Sequence, residues 1–434
     1  MRIKPSVAPR GWNSWDCYGA AVTEDIVRAN ARYMADNLKE YGYDYVVVDI
    51  QWYEPTAGSN DYHPFAEVCM DEYGRLLPAE NRFPSAAGGA GFKPLADYVH
   101  SLGLKFGIHI MRGIPRQAVA ANTPVLGCQA RARDIAKTNS ICGWNTDMYG
   151  VNTDVPGGRE YYDSIFALYA EWGVDFIKCD DIARELPHEE SELIALSEAL
   201  RDCPREMVLS LSPGPALVDK AELYKQISNM WRITDDFWDD YKLLYAMFER
   251  AEKWSIHAGA GHYPDADMLP VAAVRQCYSV EEWTKFTKPE MEQMLLLWCI
   301  MRSPLMIGSE LTKLDDWTYA LLTNRALLQM HANSRHAHQL LRRENAAGQE
   351  YVIWEAVSAE DGSSYVCLFN LSDEPLELTV SLDELELAAG LTWENVLTGE
   401  AESVASELKC TIAAHGGAGY RAGRLGPDAV TLAR

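Results

Sequence analysis

Charged side chains stand at the carboxyl-terminal ends of short apolar runs through the first three quarters of this sequence. In chain order they are Asp16, Asp49, His109, Arg112, Lys178, Asp180, Asp181, Arg232, Asp235, Asp236, Asp265 and Asp267. An aspartate after a single strand is ordinarily a helix cap. Repetition at six run ends favours a functional site, because so many clustered acids repel one another unless Lys178, Arg112 and Arg232 offset their charge.

Facing carboxylates of this kind suit the cleavage of an acetal. One carboxylic acid protonates the leaving oxygen, and one carboxylate stabilises or traps the positively charged carbon. Aspartates on strands are short and stiff, which favours tight positioning. The chain lacks the histidine-rich pattern of a catalytic zinc site, and a surface or core role is expected for His331, His336 and His338. We therefore predict neither a metal nor a cofactor.

The elements that carry these residues alternate between buried strands and amphipathic helices. Thr23 can cap a helix that extends to about Tyr41, and further helical patterns lie near 92–103, 159–172, 189–202, 240–255 and 289–302. The apolar runs are 11–18, 45–49, 105–110, 175–180, 207–212, 230–235, 261–269 and 303–308. We predict an α/β fold, a (β/α)8 TIM barrel whose strand ends converge on one rim.

Near residue 340 the pattern changes to short alternating runs separated by turns such as Asp361-Gly362-Ser363-Ser364. Such a pattern is typical of an antiparallel β-sandwich. We expect a catalytic barrel over residues 1–340 and a C-terminal β-sandwich domain over residues 341–434. The total length agrees with a barrel of about 250–340 residues followed by a smaller domain.

The amino-acid composition excludes some classes of binding partner. The formal net charge of −24 repels phosphate backbones and anionic lipid, so we predict neither a nucleic-acid nor a membrane partner. The chain contains thirteen Trp and 22 Tyr, whose flat ring faces can pack against pyranose rings, although aromatic side chains also fill protein cores. Ten cysteines scattered singly, with no leader peptide and no bilayer-spanning apolar stretch, predict a cytoplasmic protein. The oligomeric state stays open, with a homo-oligomer as one alternative.

Several motifs occur in an order that resembles glycoside hydrolase family 27, the α-galactosidase and α-N-acetylgalactosaminidase family. The resemblance covers essentially the whole chain. Its motifs are Gly11-Trp12-Asn13-Ser14-Trp15, Val48-Asp49-Ile50-Gln51-Trp52, Lys178-Cys179-Asp180-Asp181, Trp231-Arg232-Ile233-Thr234-Asp235-Asp236, Asp265-Ala266-Asp267-Met268-Leu269 and Arg302-Ser303-Pro304-Leu305-Met306-Ile307-Gly308.

This resemblance implies a barrel with a β-sandwich, retention of anomeric configuration, Asp180 as the nucleophile and Asp236 as the acid/base. Asp235 occupies a position that is usually small and uncharged, and it is either a solvated or capping acid or an extra site group. A cation such as Lys178 beside Asp180 would keep that carboxyl ionised. The candidate substrate-binding residues are Trp15, Asp49, Ile50, His109, Lys178, Ser212, Arg232 and Asp267.

Two departures from the family pattern bear on the sugar. Typical α-galactosidases carry a second Asp after Asp49 that contacts the sugar around C4–C6, and Ile50 replaces it here. An apolar side chain suits β-L-arabinopyranose, which is galactopyranose without the hydroxymethyl group. After the fifth strand, Ser212-Pro213-Gly214 replaces the Cys-Glu-Trp that reads the 2-hydroxyl, and small residues there could admit an N-acetyl group.

We expect a retaining exo-glycoside hydrolase that removes terminal α-D-galactose-type residues from an oligosaccharide or glycoside. The alternatives are a β-L-arabinopyranosidase or an α-N-acetylgalactosaminidase on the same scaffold. A non-catalytic carbohydrate-binding protein is a further alternative, and the presence of both aspartates argues against it. Arg112 and Arg116 have no family counterpart, and their roles stay open.

Overall fold

The computed structural model describes residues 3–58, 62–184, 189–276 and 282–423 of the chain. Its first part is a parallel barrel with strands β1 (Arg10–Asn13), β2 (Tyr45–Val48), β3 (Lys105–Met111), β4 (Phe176–Asp180), β5 (Val208–Leu211), β6 (Met230–Arg232), β7 (Tyr263–Asp265) and β8 (Leu305–Ile307). They pair in the order β7-β6-β5-β4-β3-β2-β1-β8. Beyond β7, the Leu269 N–H donates to the Met306 carbonyl at 2.8 Å and joins the two edges. The predicted (β/α)8 barrel is confirmed.

Each barrel strand is buried on both faces, which explains its continuous apolar sequence. On β2, Tyr45 and Val47 belong to a core inside the barrel that draws one or two residues from most of the strands. Val46 and Val48 alternate with them and pack in the larger core beneath the surrounding helices. Branched valines suit this pleated, enclosed position.

Helices and short 3-10 segments surround the barrel. The helices are Trp15–Tyr18, Glu24–Asn37, Lys93–Ser101, Arg116–Ala121, Ala132–Ile135, Gly158–Trp172, Glu190–Asp202, Ala221–Ile227, Tyr241–Ser255, Lys288–Met301, Asp316–Leu322 and Arg325–Asn333. The 3-10 turns are Gly19–Ala21, Lys39–Tyr41, Pro84–Gly89, Val218–Lys220 and Leu311–Lys313.

The first strand is shorter than the sequence predicted. Asn13 ends β1 because its side-chain oxygen accepts the Trp15 N–H at 2.9 Å, and this bond starts the helical turn that follows. Thr23 holds the N-cap position of the next helix as predicted, although its hydroxyl makes no capping hydrogen bond.

The second part is an antiparallel β-sandwich, as predicted. Its strands are β9 (Ser334–Glu344), β10 (Glu350–Ser358), β11 (Ser364–Asn370), β12 (Leu376–Ser381), β13 (Thr392–Asn395), β14 (Ala401–Ser403), β15 (Glu407–Ile412) and β16 (Gly417–Gly423). One sheet has the order β9-β10-β11-β16-β13-β14, and β12 pairs with β15 in the other. Side chains between them, including Ile353, Leu378 and Trp393, form a separate apolar core.

The helix Lys288–Met301 joins the two parts. Its Gln293 side chain donates to the carbonyls of Asn370 and Gly416, both at 2.9 Å. A Cβ atom at Gly419 would lie 2.5 Å from a methyl carbon of Leu296, so a larger residue there would require the Leu296 side chain to move. The domain boundary expected after residue 340 lies within β9 and stays a prediction.

Candidate active site

A cavity of about 380 Å³ opens at the carboxyl-terminal ends of the barrel strands. The residues that line it are Trp15, Asp49, Tyr62, Trp144, Lys178, Asp180, Arg184, Pro213, Asp235 and Asp236. A larger recess of about 620 Å³ lies at the amino-terminal ends of the strands, next to Arg10 and Lys105. Active sites of this fold lie at the carboxyl-terminal rim, which singles out the smaller cavity.

Asp180 is the last residue of β4, and both of its carboxylate oxygens are engaged. One accepts the Asp181 N–H at 3.0 Å, and the other accepts the Nε2–H of His109 at 3.0 Å. Burial by itself would raise the pKa of Asp180. The His109 side chain, Lys178 and the Asp181 N–H outweigh burial and hold that pKa below its ordinary value. Asp180 is therefore a fixed, ionised carboxylate at neutral pH.

Asp49 and Lys178 form an ion pair on the floor of the cavity. Lys178 Nζ lies 2.8 Å from Asp49 Oδ2, which also accepts a hydrogen bond from Asn13 at 2.8 Å. Burial favours the neutral forms of both groups. Their mutual attraction prevails, so the pKa of Asp49 is lowered and that of Lys178 is raised. Lys178 therefore supplies a lasting positive charge, and Asp180 adds to the rise in its pKa.

Asp236 lies at the mouth with 59% of its side chain exposed. Arg232 Nη2 is 3.2 Å from one Asp236 oxygen and 2.6 Å from an oxygen of Asp267. Burial and the neighbouring carboxylates raise the pKa of Asp267 against the opposing charge of Arg232. The site thus presents one enclosed carboxylate at Asp180 and one open to solvent two strands away at Asp236.

Several candidate residues lie around the cavity without lining it. Ile50 is only 1% exposed, and its N–H donates to Asp49 at 2.9 Å. Ser212 is buried, and Pro213 lines the cavity in its place. Arg232 and Asp267 line a smaller internal space that also contains Lys178. Their roles towards a sugar stay predictions.

The structure gives different surroundings to Arg112, Asp235 and Arg116, the three residues whose roles the sequence left open. Arg112 is buried behind the site, with guanidinium nitrogens 3.0 Å from Asp181 and 3.2 Å from Glu192. Asp235 accepts a hydrogen bond from Arg184, which also lines the cavity. The Arg116 guanidinium lies over the aromatic rings of Phe65 and Tyr149.

Sequence reasoning missed Tyr62, Trp144 and Arg184. The Tyr62 ring stacks on Trp15 with centroids 5.6 Å apart and planes 12° apart, and the Trp144 ring is tilted by 43° from Tyr62 with centroids 5.5 Å apart. All three missed residues stand in loops without periodicity. The richness in Trp and Tyr was the single signal for the two rings.

No cluster of three or more His, Cys, Asp or Glu side chains that could hold a metal occurs within the described ranges. Nor does any helix in those ranges combine the length and apolar character that crossing a bilayer demands.

Comparison with known proteins supplies the family. A model described as alpha galactosidase A matches residues 12–148 and 127–333, and one described as the alpha galactosidase C-terminal beta sandwich domain matches residues 348–422. An α-galactosidase from Cyamopsis tetragonoloba is 25% identical over 414 residues, which cover 94% of this chain and 84% of that protein.

Two solved structures are more similar in sequence. One is a family 27 β-L-arabinopyranosidase from Geobacillus stearothermophilus, with a TM-score of 0.93, 50% identity and 98% coverage of both chains. The other is a putative α-N-acetylgalactosaminidase from Bacillus halodurans, with a TM-score of 0.86, 49% identity and coverage of 96% of this chain and 97% of that one. The chain therefore belongs to glycoside hydrolase family 27 and is a glycosidase, as its motifs predicted.

Proposed function

We propose that this enzyme is a retaining exo-glycosidase for terminal sugars of the α-D-galactopyranose configuration and that it prefers β-L-arabinopyranose. Asp180 is the nucleophile and Asp236 the acid/base. The observation that carries the sugar preference is Ile50, the buried apolar residue directly after Asp49.

The chemistry proceeds in two displacements. A carboxylate oxygen of Asp180 attacks the anomeric carbon while the glycosidic bond breaks and Asp236 gives its proton to the leaving oxygen. Water then attacks the same carbon, Asp236 takes its proton, and the bond to Asp180 breaks. Two inversions restore the starting configuration. The lowered pKa of Asp180 supports the first role, and the exposure of Asp236 at the mouth supports the second.

Asp49 and Lys178 support recognition of hydroxyl groups. The ion pair leaves Lys178 with further donors and Asp49 with further acceptor capacity, and both residues line the cavity. Charged partners make stronger hydrogen bonds to a sugar than neutral ones do. Asp49 and Lys178 can therefore bind a sugar that carries no charge of its own.

The sugar preference follows from what Ile50 lacks. Ile50 offers no acceptor at the position where an aspartate would, and a galactose 6-hydroxyl enclosed without a hydrogen-bond partner costs about 1–3 kcal/mol. β-L-Arabinopyranose has no such group and presents an apolar edge instead. The name of the Geobacillus relative agrees with this preference.

The test compares 4-nitrophenyl β-L-arabinopyranoside, α-D-galactopyranoside and N-acetyl-α-D-galactosaminide under the same conditions. We expect the highest kcat/KM with the arabinoside, lower turnover of the galactoside and little or none of the N-acetyl sugar. A galactoside turned over faster than the arabinoside would overturn the preference, and hydrolysis of none of the three would overturn the activity.

We also propose a cytoplasmic location. Eight cysteines in the described ranges are free thiols, as expected in a reducing compartment: Cys69, Cys128, Cys142, Cys179, Cys203, Cys299, Cys367 and Cys410. Fractionation of the native cells checks this, and activity found outside the cytoplasm would contradict it.

A further inference from the structure

The cavity is lined in part by aromatic rings that the two displacements do not use. Tyr62 and Trp144 line the cavity, and their ring centroids are 5.5 Å apart. Phe65 follows in the same loop as Tyr62, with 72% of the residue exposed. We call Tyr62, Phe65 and Trp144 the aromatic rim. An exposed phenylalanine beside an active site differs from a scattered surface side chain because a bound ligand could cover it.

The two loops of the aromatic rim are joined. The Phe65 N–H donates to the Thr146 hydroxyl at 2.6 Å, two residues beyond Trp144. The Arg116 guanidinium lies 5.3 Å from the centre of the Phe65 ring and 4.4 Å from that of Tyr149. The backbone bond and the stacked guanidinium fix Phe65 next to the loop that carries Trp144.

A buried hydrogen-bond network holds the loop of Trp144 in place. Asp147 is buried, and one of its oxygens accepts hydrogen bonds from Gln51 at 2.6 Å, Tyr53 at 2.8 Å and Asn145 at 3.2 Å. These bonds tie the Trp144 loop to the segment directly after β2. A recognition surface whose loop is tied down by several buried hydrogen bonds loses little freedom when a ligand binds.

The position of the aromatic rim indicates what binds there. In an exo-acting enzyme the cleaved sugar fills the cavity and the leaving group emerges through its mouth, where Asp236 is exposed. We infer that Phe65 and Trp144 form a binding subsite for the leaving group, which presents a flat apolar ring face to them. A pyranose or an aromatic ring has such a face, and Arg116 adds hydrogen-bond donors for hydroxyl groups. This inference rests on the proposed function.

The experiment compares substrates with and without a leaving-group ring. β-L-Arabinopyranosyl fluoride leaves a single atom, whereas 4-nitrophenyl β-L-arabinopyranoside leaves a flat ring. In Phe65→Ala and Trp144→Ala, the ratio of kcat/KM for the nitrophenyl glycoside to that for the fluoride should fall about three- to tenfold. The control is Ile256→Ala, which removes an equally exposed apolar side chain after the helix Tyr241–Ser255 and should leave the ratio unchanged.

A second arm identifies the kind of ring. With the fluoride as donor, methyl β-D-galactopyranoside competes with water for the glycosyl-enzyme, and the ratio of transfer to hydrolysis measures binding of a sugar leaving group. A lower ratio of transfer to hydrolysis in the Phe65→Ala and Trp144→Ala variants supports a sugar subsite. A fall with the nitrophenyl substrate alone supports an aromatic one. No change in either arm overturns the inference.

Failure of the proposed function gives a different result. The wild-type enzyme would then turn over neither β-L-arabinopyranosyl nor α-D-galactopyranosyl fluoride, whose hydrolysis needs no leaving-group subsite. Running both arms with the galactosyl donors as well separates a changed sugar preference from a missing subsite. Phe65 is exposed, so its alanine variant should fold normally, and thermal denaturation checks this.

Discussion

His109 Nε2 lies 3.0 Å from Asp180 Oδ2, and the two residues stand on the neighbouring strands β3 and β4. An ionised carboxylate can only accept, so Nε2 carries the hydrogen. His109 is fully buried, and its Nδ1 has no hydrogen-bond partner among the described residues. His109 thus donates a hydrogen bond to the carboxylate of Asp180, and its expected contact with the sugar stays a prediction.

Replacing His109 should move the acidic limb of the pH profile. His109 lowers the pKa of Asp180 against the effect of burial, so His109→Phe should raise that pKa. A smaller fraction of Asp180 is then ionised at acid pH, and the acidic limb of kcat/KM moves to higher pH. His109→Gln retains a donor and should move the limb less. Identical limbs in the wild type and His109→Phe would show that His109 does not tune Asp180.

Asp180→Ala should abolish turnover, because no other carboxylate in the cavity is held in its position. Added azide should restore cleavage of the nitrophenyl glycoside, with a glycosyl azide of inverted configuration as the product. Nuclear magnetic resonance of that product is the measurement. A restored product with retained configuration would argue that Asp180 is not the nucleophile.

Asp236→Ala should depend on the leaving group. A methyl glycoside needs a proton on its leaving oxygen, so its kcat/KM should fall by about 10²–10⁴. The glycosyl fluoride needs much less help and should be affected far less. Asp235→Ala is the matched control, since Asp235 is also exposed but interacts with Arg184. Equal losses in both variants would remove the case for Asp236 as the acid.

Ile50→Asp should shift the sugar preference towards galactose. A carboxylate there can accept a hydrogen bond from the 6-hydroxyl. One hydrogen bond to a charged group contributes about 1.5–3 kcal/mol, which raises the ratio of kcat/KM for the galactoside to that for the arabinoside roughly ten- to a hundredfold. Ile50→Val keeps the site apolar and serves as the control. The paired kcat/KM values measure the ratio, and a ratio common to all three proteins would refute the role of Ile50.

Arg112→Met should destabilise the fold. Arg112 is buried between Asp181 and Glu192, and its removal takes away the cation that faces both of these buried carboxylates. The loss in unfolding free energy should be about 3–5 kcal/mol. Arg32→Met is the control, because the ion pair of Arg32 with Asp36 is exposed to solvent, and its loss should change stability by about 1 kcal/mol or less. Urea denaturation measures both, and equal midpoints would contradict the difference.

The barrel and the clustering of charged residues at its strand ends were open to prediction because they depend on local patterns, whereas the resemblance to family 27 singled out Asp180 and Asp236. Strands buried on both faces must be continuously apolar, and parallel strands bring their carboxyl-terminal ends to one rim. The sequence therefore predicts one site that contains Asp49, Lys178, Asp180 and Asp236, and all four line the cavity.

The remaining features depend on contacts between distant segments. Tyr62 and Trp144 reach the mouth on loops whose course no periodicity encodes. Register between β3 and β4 turns His109 towards Asp180, and the chain beyond β3 carries Arg112 back into the core. The sequence by itself determined the strand order and the chemistry at the strand ends. Only the tertiary structure decided which side chains line the cavity, because side-chain direction is set by packing across hundreds of residues.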